Sequence, residues 1–396
     1  MTAELQAEAA SGQALPCQRE LFEIPAEIAY FNCAYMTPSL ARVREAGERG
    51  VRRKSTPWLL TPADFFTESE AARTAFARLI GAGPDDVAIV PAASYGVETA
   101  ARNLPAATGQ EILVLAEQFP SNVYPWRALA ARSGAIVRTV PRGNDGGFTA
   151  GLLAAIGPRT AIAALPHCHW ADGSLLDLPA IGAALRDRGA ALVLDVTQSL
   201  GALPLDVAQV RPDFLVCACY KWLLGPYSLG FLYVAPHRQD GAPLENNWIA
   251  RAGAEDFRRL AAYSEDYAAG ARRFDMGERS NFALMPMALA ALEQIHAWTP
   301  PAIAGSLGAI TGRIAATLDA AGASCIPADR RAPHFLGVRL PDGLPDDLQQ
   351  KLLAENIHVS LRGESVRVTP HLHVTDADID RLCAAMIRHG RLGQAR

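Results

Sequence analysis

The chain has 396 residues, half of them hydrophobic and a fifth charged, a globular composition long enough for two domains or one large α/β unit. Its formal net charge of −4 comes without a long basic run, so nucleic acid and an anionic membrane surface find no support as partners. No apolar stretch reaches the roughly 18 residues of a membrane span, the start MTAELQAEAASGQALP has no signal-peptide pattern, and the seven scattered cysteines suit reduced thiols in the cytoplasm.

Residues 1–30 read as a loose N-terminal arm. From there short apolar runs alternate with amphipathic ones. DVAIV, EILVLA, AIVRTV, TAIAALP, AALVLD, DFLVCAC and GFLYV have strand length and composition. Between several of them lie helical patterns: GVETAARNL, YPWRALAARSG and LPAIGAALRDRG. Such alternation predicts an α/β domain over 31–285, with a mostly parallel seven-stranded sheet covered by helices on both faces. The rhythm changes near residue 286. The run MPMALAALEQIHAW leads into HFLGVRL, LPDDLQQKLLAEN, IHVSLRG, SVRVTPHLHV and TDADIDRLCAAMIRHG, a mixture that predicts a smaller α+β domain over 286–396.

Open parallel sheets bind ligands beyond the carboxyl ends of their strands, and several ends here are polar. AALVLD finishes on Asp195, a carboxylate that needs a cation, a cap or a ligand to offset its desolvation. The next strand ends just before Lys221. Only three residues of the chain are lysine, and Lys54 and Lys351 lie in ordinary charged settings. Lys221 sits instead in CACYKWLLGPYSLGFLYV, among residues that normally go inside. It reads either as a packed stem with its head in water or as a buried amine able to form a Schiff base. Upstream, the turn VPAASYG opens a helix whose first N–H groups, with Ser94, could hold a phosphate. EQFPSNVYPW places Phe119 near the same edge. A buried lysine, a carboxylate, a phosphate site and an aromatic cover together make the equipment for pyridoxal phosphate. Generic dinucleotide binding lacks its GxGxxG turn.

From YFNCAYMTPS to TDADIDRL the chain resembles the class V aminotransferase family of fold type I pyridoxal-phosphate enzymes, which includes kynureninases, isopenicillin N epimerase-like proteins and cysteine desulfurases. ALVLDVTQSLGALPLDVAQVRPDFLVCACYKWLLGPYSLGFLYV carries the resemblance most specifically. It implies that Lys221 holds the cofactor as a Schiff base, that Asp195 pairs with the pyridine nitrogen, and that Gln198 bonds the ring hydroxyl. Ser94 and the amide of Ala93 match the phosphate loop, Tyr220 a phosphate neighbour, and Phe119 the ring-stacking position. RRFDMGERSNF resembles the segment that completes the partner's phosphate site in a homodimer, which nominates Arg279 and Ser280. Arg367 in SVRVTPHL matches the clamp for a substrate carboxylate, with Arg362 as a second basic candidate. Trp170 stands where many members have an asparagine.

Two departures narrow the activity. Residues 356–370 contain no cysteine, so persulfide chemistry of the desulfurase kind is not expected. The HxH pairs His167/His169 and His371/His373 do not call for a metal; His169 or His371 is instead a candidate pocket acid or base in the substrate site. The expectation is therefore an enzyme that takes an α-amino acid through an external aldimine, leaning to a lyase, with epimerase or aminotransferase as the alternatives. A pyridoxal-phosphate-binding protein without turnover is the reading from another class.

Overall fold

The computed structural model describes residues 14–143 and 146–393. Residues 1–13 of the expected arm lie outside the described residues. After a short strand, β1 (Ala29–Tyr30), come two helices, α1 (Ala41–Arg53) and α2 (Thr67–Leu79). Strand and helix then alternate: β2 (Val87–Val90), α3 (Ala93–Asn103), β3 (Glu111–Leu115), α4 (Tyr124–Ser133), β4 (Ile136–Val140), α5 (Thr149–Ala155) and β5 (Thr160–Pro166). Next are α6 (Leu178–Arg186), β6 (Ala191–Asp195), the single-turn α7 (Val207–Val210), β7 (Phe214–Ala218) and β8 (Gly230–Val234).

All seven apolar runs become strands of one sheet, in the order β2-β8-β7-β6-β5-β3-β4. Neighbours are parallel except at β8, which is antiparallel to both β7 and β2. Residues 219–229, between β7 and β8, are too few for a parallel crossover, so the chain turns straight back, and that turn carries Lys221. Burial on both faces explains why the strands read as unbroken apolar runs. In β6, Leu192 and Leu194 pack with Leu165, Leu215, Phe231 and Ile181 of α6, whereas Ala191 and Val193 pack with Phe214, Leu232 and Val97 of α3. Each of these Leu, Ile, Val and Phe side chains contributes about 1.5–3 kcal/mol on burial. The edge strand β4 is the exception: Ile136 is half exposed and Arg138 pairs with Glu111 at 3.0 Å, charge that discourages edge pairing. Helix α3 lies close against the sheet because residue 96 is glycine; a Cβ there would sit 2.6 Å from Val216 Cγ2.

The C-terminal part begins with α8 (Leu284–Trp298) and α9 (Pro300–Ala320), followed by β9 (Ser324–Cys325), β10 (Leu336–Arg339), α10 (Leu348–Ala354), β11 (Ile357–His358), β12 (Ser360–Arg362), β13 (Ser365–Val368) and α11 (Asp376–His389). Its four-stranded antiparallel sheet runs β12-β13-β10-β9, while β11 pairs in parallel with β1. A separate core gathers Val338, Val366, Val368, Leu382 and Met386, and Ala29 and Phe31 belong to it. Residues ahead of β1 dock on the same unit: the Gln18 N–H donates to Leu372 O at 2.8 Å, and Arg19 pairs with Asp378 at 2.8 Å. Among the described residues no helix is long and apolar enough to cross a membrane.

Candidate active site

The carboxyl edge of the sheet encloses a cavity of about 240 Å³. Five strand ends contribute to its wall: Ala93 and Ser94 after β2, Phe119 and Asn122 after β3, Cys168 and Trp170 after β5, Asp195, Thr197 and Gln198 at the end of β6, and Tyr220 and Lys221 after β7. Parallel pairing of β6 and β7, with Asp195 opposite Val216, brings the carboxylate and the lysine to one edge.

Lys221 is 6% exposed. The turn that buries it is held by the Cys219 N–H to Leu229 O at 2.9 Å and the Leu224 N–H to Lys221 O at 3.0 Å. Its ammonium nitrogen lies 5.5 Å from the Phe119 ring centroid and 5.4 Å from that of Tyr220. Burial lowers its pKa to about 8; the Asp195 carboxylate opposes that shift and the Arg367 guanidinium adds to it. Asp195 is itself pushed upward by burial, against the Thr197 N–H that donates to its Oδ1 at 3.0 Å. Thr197 also takes the Ala218 N–H on its hydroxyl at 3.1 Å, which ties the β6 and β7 ends together. Burial, helped by Tyr227, pushes the Tyr220 phenol up to about 12, and burial raises the Cys168 thiol as well, so both keep their protons at neutral pH.

Ala93 and Ser94 occupy the first turn of α3, ahead of the first helical N–H that finds an acceptor, Tyr95 to Ala92 O at 3.1 Å. Gln198 is more committed than its expected role requires. Its Nε2 donates to Ala34 O at 3.1 Å and its Oε1 accepts from Trp222 Nε1 at 3.3 Å, which leaves one amide hydrogen. Asn122 was not among the expected residues. Its Oδ1 accepts from Trp126 Nε1 at 3.0 Å, and its buried Nδ2 has no hydrogen-bond partner. FPSN places that amide on the wall, but its orientation depends on Trp126 four residues later. Pyridoxal phosphate fits this set: a depressed amine, a buried carboxylate, a helix N-terminus with a hydroxyl, an aromatic ring and an orphan donor face one space.

Other expected residues stand elsewhere. His169 is buried beneath the cavity, its Nε2 3.2 Å from Ala116 O, its Nδ1 accepting the Ala171 N–H at 3.4 Å, its ring 5.1 Å from that of Phe148. His371 lies among Phe22, Trp222 and Trp298, with neither ring nitrogen partnered. The expectation of a pocket acid or base at either position is thus corrected. Both rings turn into the core, and burial lowers both pKa values. Arg279 pairs with Asp275 at 2.9 Å, and the Ser280 hydroxyl donates to Phe65 O; within one chain neither reaches the cavity. Ser280 lines a surface hollow of about 660 Å³ whose wall includes Val51, Phe65 and Trp248.

Neither Arg367 nor Arg362 lines the cavity; both guanidiniums stand against Trp170, which does. Arg367 is fully buried, its Nε donating to Ser360 Oγ and its Nη1 to Trp170 O, both at 3.0 Å. Burial and the neighbouring Arg362 lower its pKa to about 9. Trp170 is pinned in turn by its indole N–H to Glu117 O at 2.6 Å and meets Phe119 edge-on at 5.6 Å. Among the described residues no group of three metal-ligating side chains comes together.

The family model described as Aminotransferase class-V matches residues 61–390. An uncharacterized aminotransferase, YcbU, of Bacillus subtilis is 31% identical over 57% of this chain and 57% of its own length. Isopenicillin N epimerase of Streptomyces clavuligerus is 31% identical over 45% of this chain and 46% of its own, and kynureninase of Deinococcus radiodurans 31% over 54% and 50%. These matches span about half the length of those relatives. Solved structures match over far more of the chain. The apo cysteine desulfurase of Thermococcus onnurineus superimposes with a TM-score of 0.81 over 96% of this chain and 99% of its own at 19% identity. The cystine C–S lyase C-DES, in complex with its product cysteine persulfide, does so with 0.81 over 93% and 99% at 22%, likenesses of fold alone. With the family model spanning most of the sequence and a fold type I sheet around a fitting cavity, the chain belongs to the aminotransferase class-V family and is an enzyme whose cofactor is pyridoxal 5'-phosphate.

Proposed function

We propose that the protein is a lyase that cleaves the side chain of an α-amino acid. The observation that carries this reading is the Lys221 amine, buried with its pKa lowered to about 8, as the one base in the described cavity wall suited to take and return a proton near neutral pH. Pyridoxal phosphate, when bound, supplies the electron sink for charge left at the α-carbon. Lys221 holds the cofactor's aldehyde carbon, Asp195 its ring nitrogen, and Ser94 with the Ala93 amide its phosphate. Phe119 covers the ring, while Tyr220 and Asn122 complete the polar wall. Arg367 takes the substrate carboxylate in a bidentate fork. Freed by the substrate, the Lys221 amine removes the α-proton and can deliver it to the departing side chain.

Epimerisation calls for a second base on the opposite face, and the two histidines that could have served stand in the core. The likeness to an isopenicillin N epimerase keeps that reading as the second one. A tight two-residue turn, Gly363–Glu364, replaces any long loop between β12 and β13 and carries no thiol, which speaks against a persulfide carrier there. Val51, Trp58, Leu59 and Trp248 are exposed beside the hollow that Ser280 adjoins. We read this face as a homodimer contact through which Arg279 and Ser280 approach the partner's cofactor. The free thiols favour a cytoplasmic setting.

The test is borohydride reduction of the cofactor-loaded protein, peptide mapping, and product analysis with each amino acid in turn. Label at Lys221 with release of an oxo acid and a side-chain fragment is expected. Inversion at the α-carbon with every atom retained would replace the lyase by the epimerase, and a protein unlabelled at Lys221 would remove both.

A further inference from the structure

Arg362 and Arg367 share one face of the β12–β13 hairpin. Arg362 pairs with Ser365 and Arg367 with Ser360, which makes the two arginines diagonal neighbours, about 7–8 Å apart at the backbone. The two-residue turn, with Gly363 left-handed at φ 55°, fixes that register. Both guanidiniums converge on Trp170: Arg367 donates to its carbonyl, and the Arg362 guanidinium carbon lies 5.8 Å from its ring centroid. Trp170 in turn lines the cavity of Lys221.

What sets this pair apart is two guanidiniums side by side without a carboxylate. Buried Arg73 meets Asp275 at 2.8 Å and Arg279 the same residue at 2.9 Å, while the single buried Arg331 donates to Ile326 O, Thr311 Oγ1 and Phe335 O. Arg362 and Arg367 donate only to neutral oxygens: Leu361 O, Ser360 Oγ and Trp170 O. Each of the two repels the Lys221 ammonium, and Asp195 is the carboxylate that opposes them. One α-carboxylate would compensate one guanidinium and leave the other unpaired. An uncompensated cation held near a dry wall is costly unless a ligand brings the counter-charge.

We propose that the substrate is an amino acid with a second carboxylate on its side chain, its α-carboxylate held by Arg367 and its distal one by Arg362. This rests on the reading of the cavity as an amino-acid site. Trp170 sets the spacing between the two anion positions, since its carbonyl orients one guanidinium and its ring supports the other.

Unreactive acids test this without turnover. Calorimetric titration of the cofactor-loaded protein with succinate and glutarate, against butyrate and valerate, compares two carboxylates with one at matched chain length. The diacids are expected to bind at least about tenfold more tightly. In Arg362→Gln that ratio falls to about one, while Arg367→Gln weakens both kinds of acid; circular dichroism verifies that each variant is folded. Equal binding of diacid and monoacid to the unaltered protein, no binding of either, or a ratio that survives in Arg362→Gln overturns the proposal. Borohydride labelling of Lys221 is read on the same samples. Label present with no diacid preference removes this inference alone, whereas label absent removes the cofactor-site reading beneath it.

Discussion

An ordinary lysine amine is almost wholly protonated at neutral pH and cannot attack an aldehyde. Burial of Lys221 changes that, because the desolvated ammonium loses more than the desolvated amine, and its pKa falls to about 8 although Asp195 pulls the other way. The rate at which cofactor-free protein forms an imine with pyridoxal phosphate should therefore rise with pH, with a midpoint near 8 instead of the usual 10.5. Asp195→Asn removes the carboxylate that favours the ammonium, so the midpoint moves down. Stopped-flow absorbance across pH measures both, and an unchanged midpoint in Asp195→Asn would contradict the pairing. Lys221→Ala should abolish labelling and lower turnover by about a thousandfold or more. These two residues were legible because a lysine and a carboxylate in apolar runs demand a reason. His169 and His371 misled for the opposite cause: they follow strand ends, and which way a ring turns there is set by Phe148, Phe22 and Trp222, none adjacent in sequence.

Helix α2, strand β2 and the chain after residue 270 meet at one buried carboxylate. Asp275 accepts from Arg73 Nη2 at 2.8 Å, from Arg279 Nε at 2.9 Å and from the Ile89 N–H at 2.7 Å. Asp275→Ala would leave two guanidiniums without their buried partner and should cost about 3–5 kcal/mol in urea unfolding; a loss under about 1 kcal/mol would mean the arginines find other partners. Helix α3 makes a second test. In Gly96→Ala the new methyl meets Val216 at 2.6 Å, so the helix must lift from the sheet, at about 1–3 kcal/mol. Its N-terminus lifts with it, and faster cofactor release on dilution is expected. The helical pattern of α3 is plain in the sequence, whereas α1 is masked by charge and by two glycines. Their purpose appears only in the packing, since a Cβ at Gly50 would fall 1.9 Å from Phe282 O and one at Gly47 2.7 Å from Met287 Sδ.

Among the described residues five histidines are buried, and two of them tie distant segments together. His334 Nε2 donates to Gln198 O at 2.7 Å and its ring packs on Trp222 at 4.3 Å, and His373 Nε2 lies 2.9 Å from Tyr30 O. Burial lowers His167 to about 3, His334 and His373 to about 4, and His371 well below the ordinary 6.5. Below pH 6.5 the unfolded chain takes up protons that the folded one refuses, so stability is full above that pH and falls as pH drops toward the folded values. His167, His334 and His373 each contribute about 2 kcal/mol to the loss between pH 6.5 and 5, and His371 adds in the same direction. A few such terms are comparable with a whole domain's margin. The urea midpoint should fall steeply over this window, ahead of carboxylate protonation; a flat midpoint from pH 7 to 5 would show that water reaches these rings.

The sheet and its strands and the cofactor class were determined by sequence alone, and the lysine and the strand-end aspartate were singled out there as candidates. Doubly buried strands must be apolar throughout, and imine chemistry needs a residue type that such strands otherwise reject. Tertiary structure decided the rest, because it depends on contacts between distant segments. It docked Phe31 into the C-terminal core, turned the histidines away from the cavity, and set Arg362 beside Arg367 on one hairpin face behind Trp170. Local pattern specifies which residues are buried; only the assembled packing specifies what each of them faces.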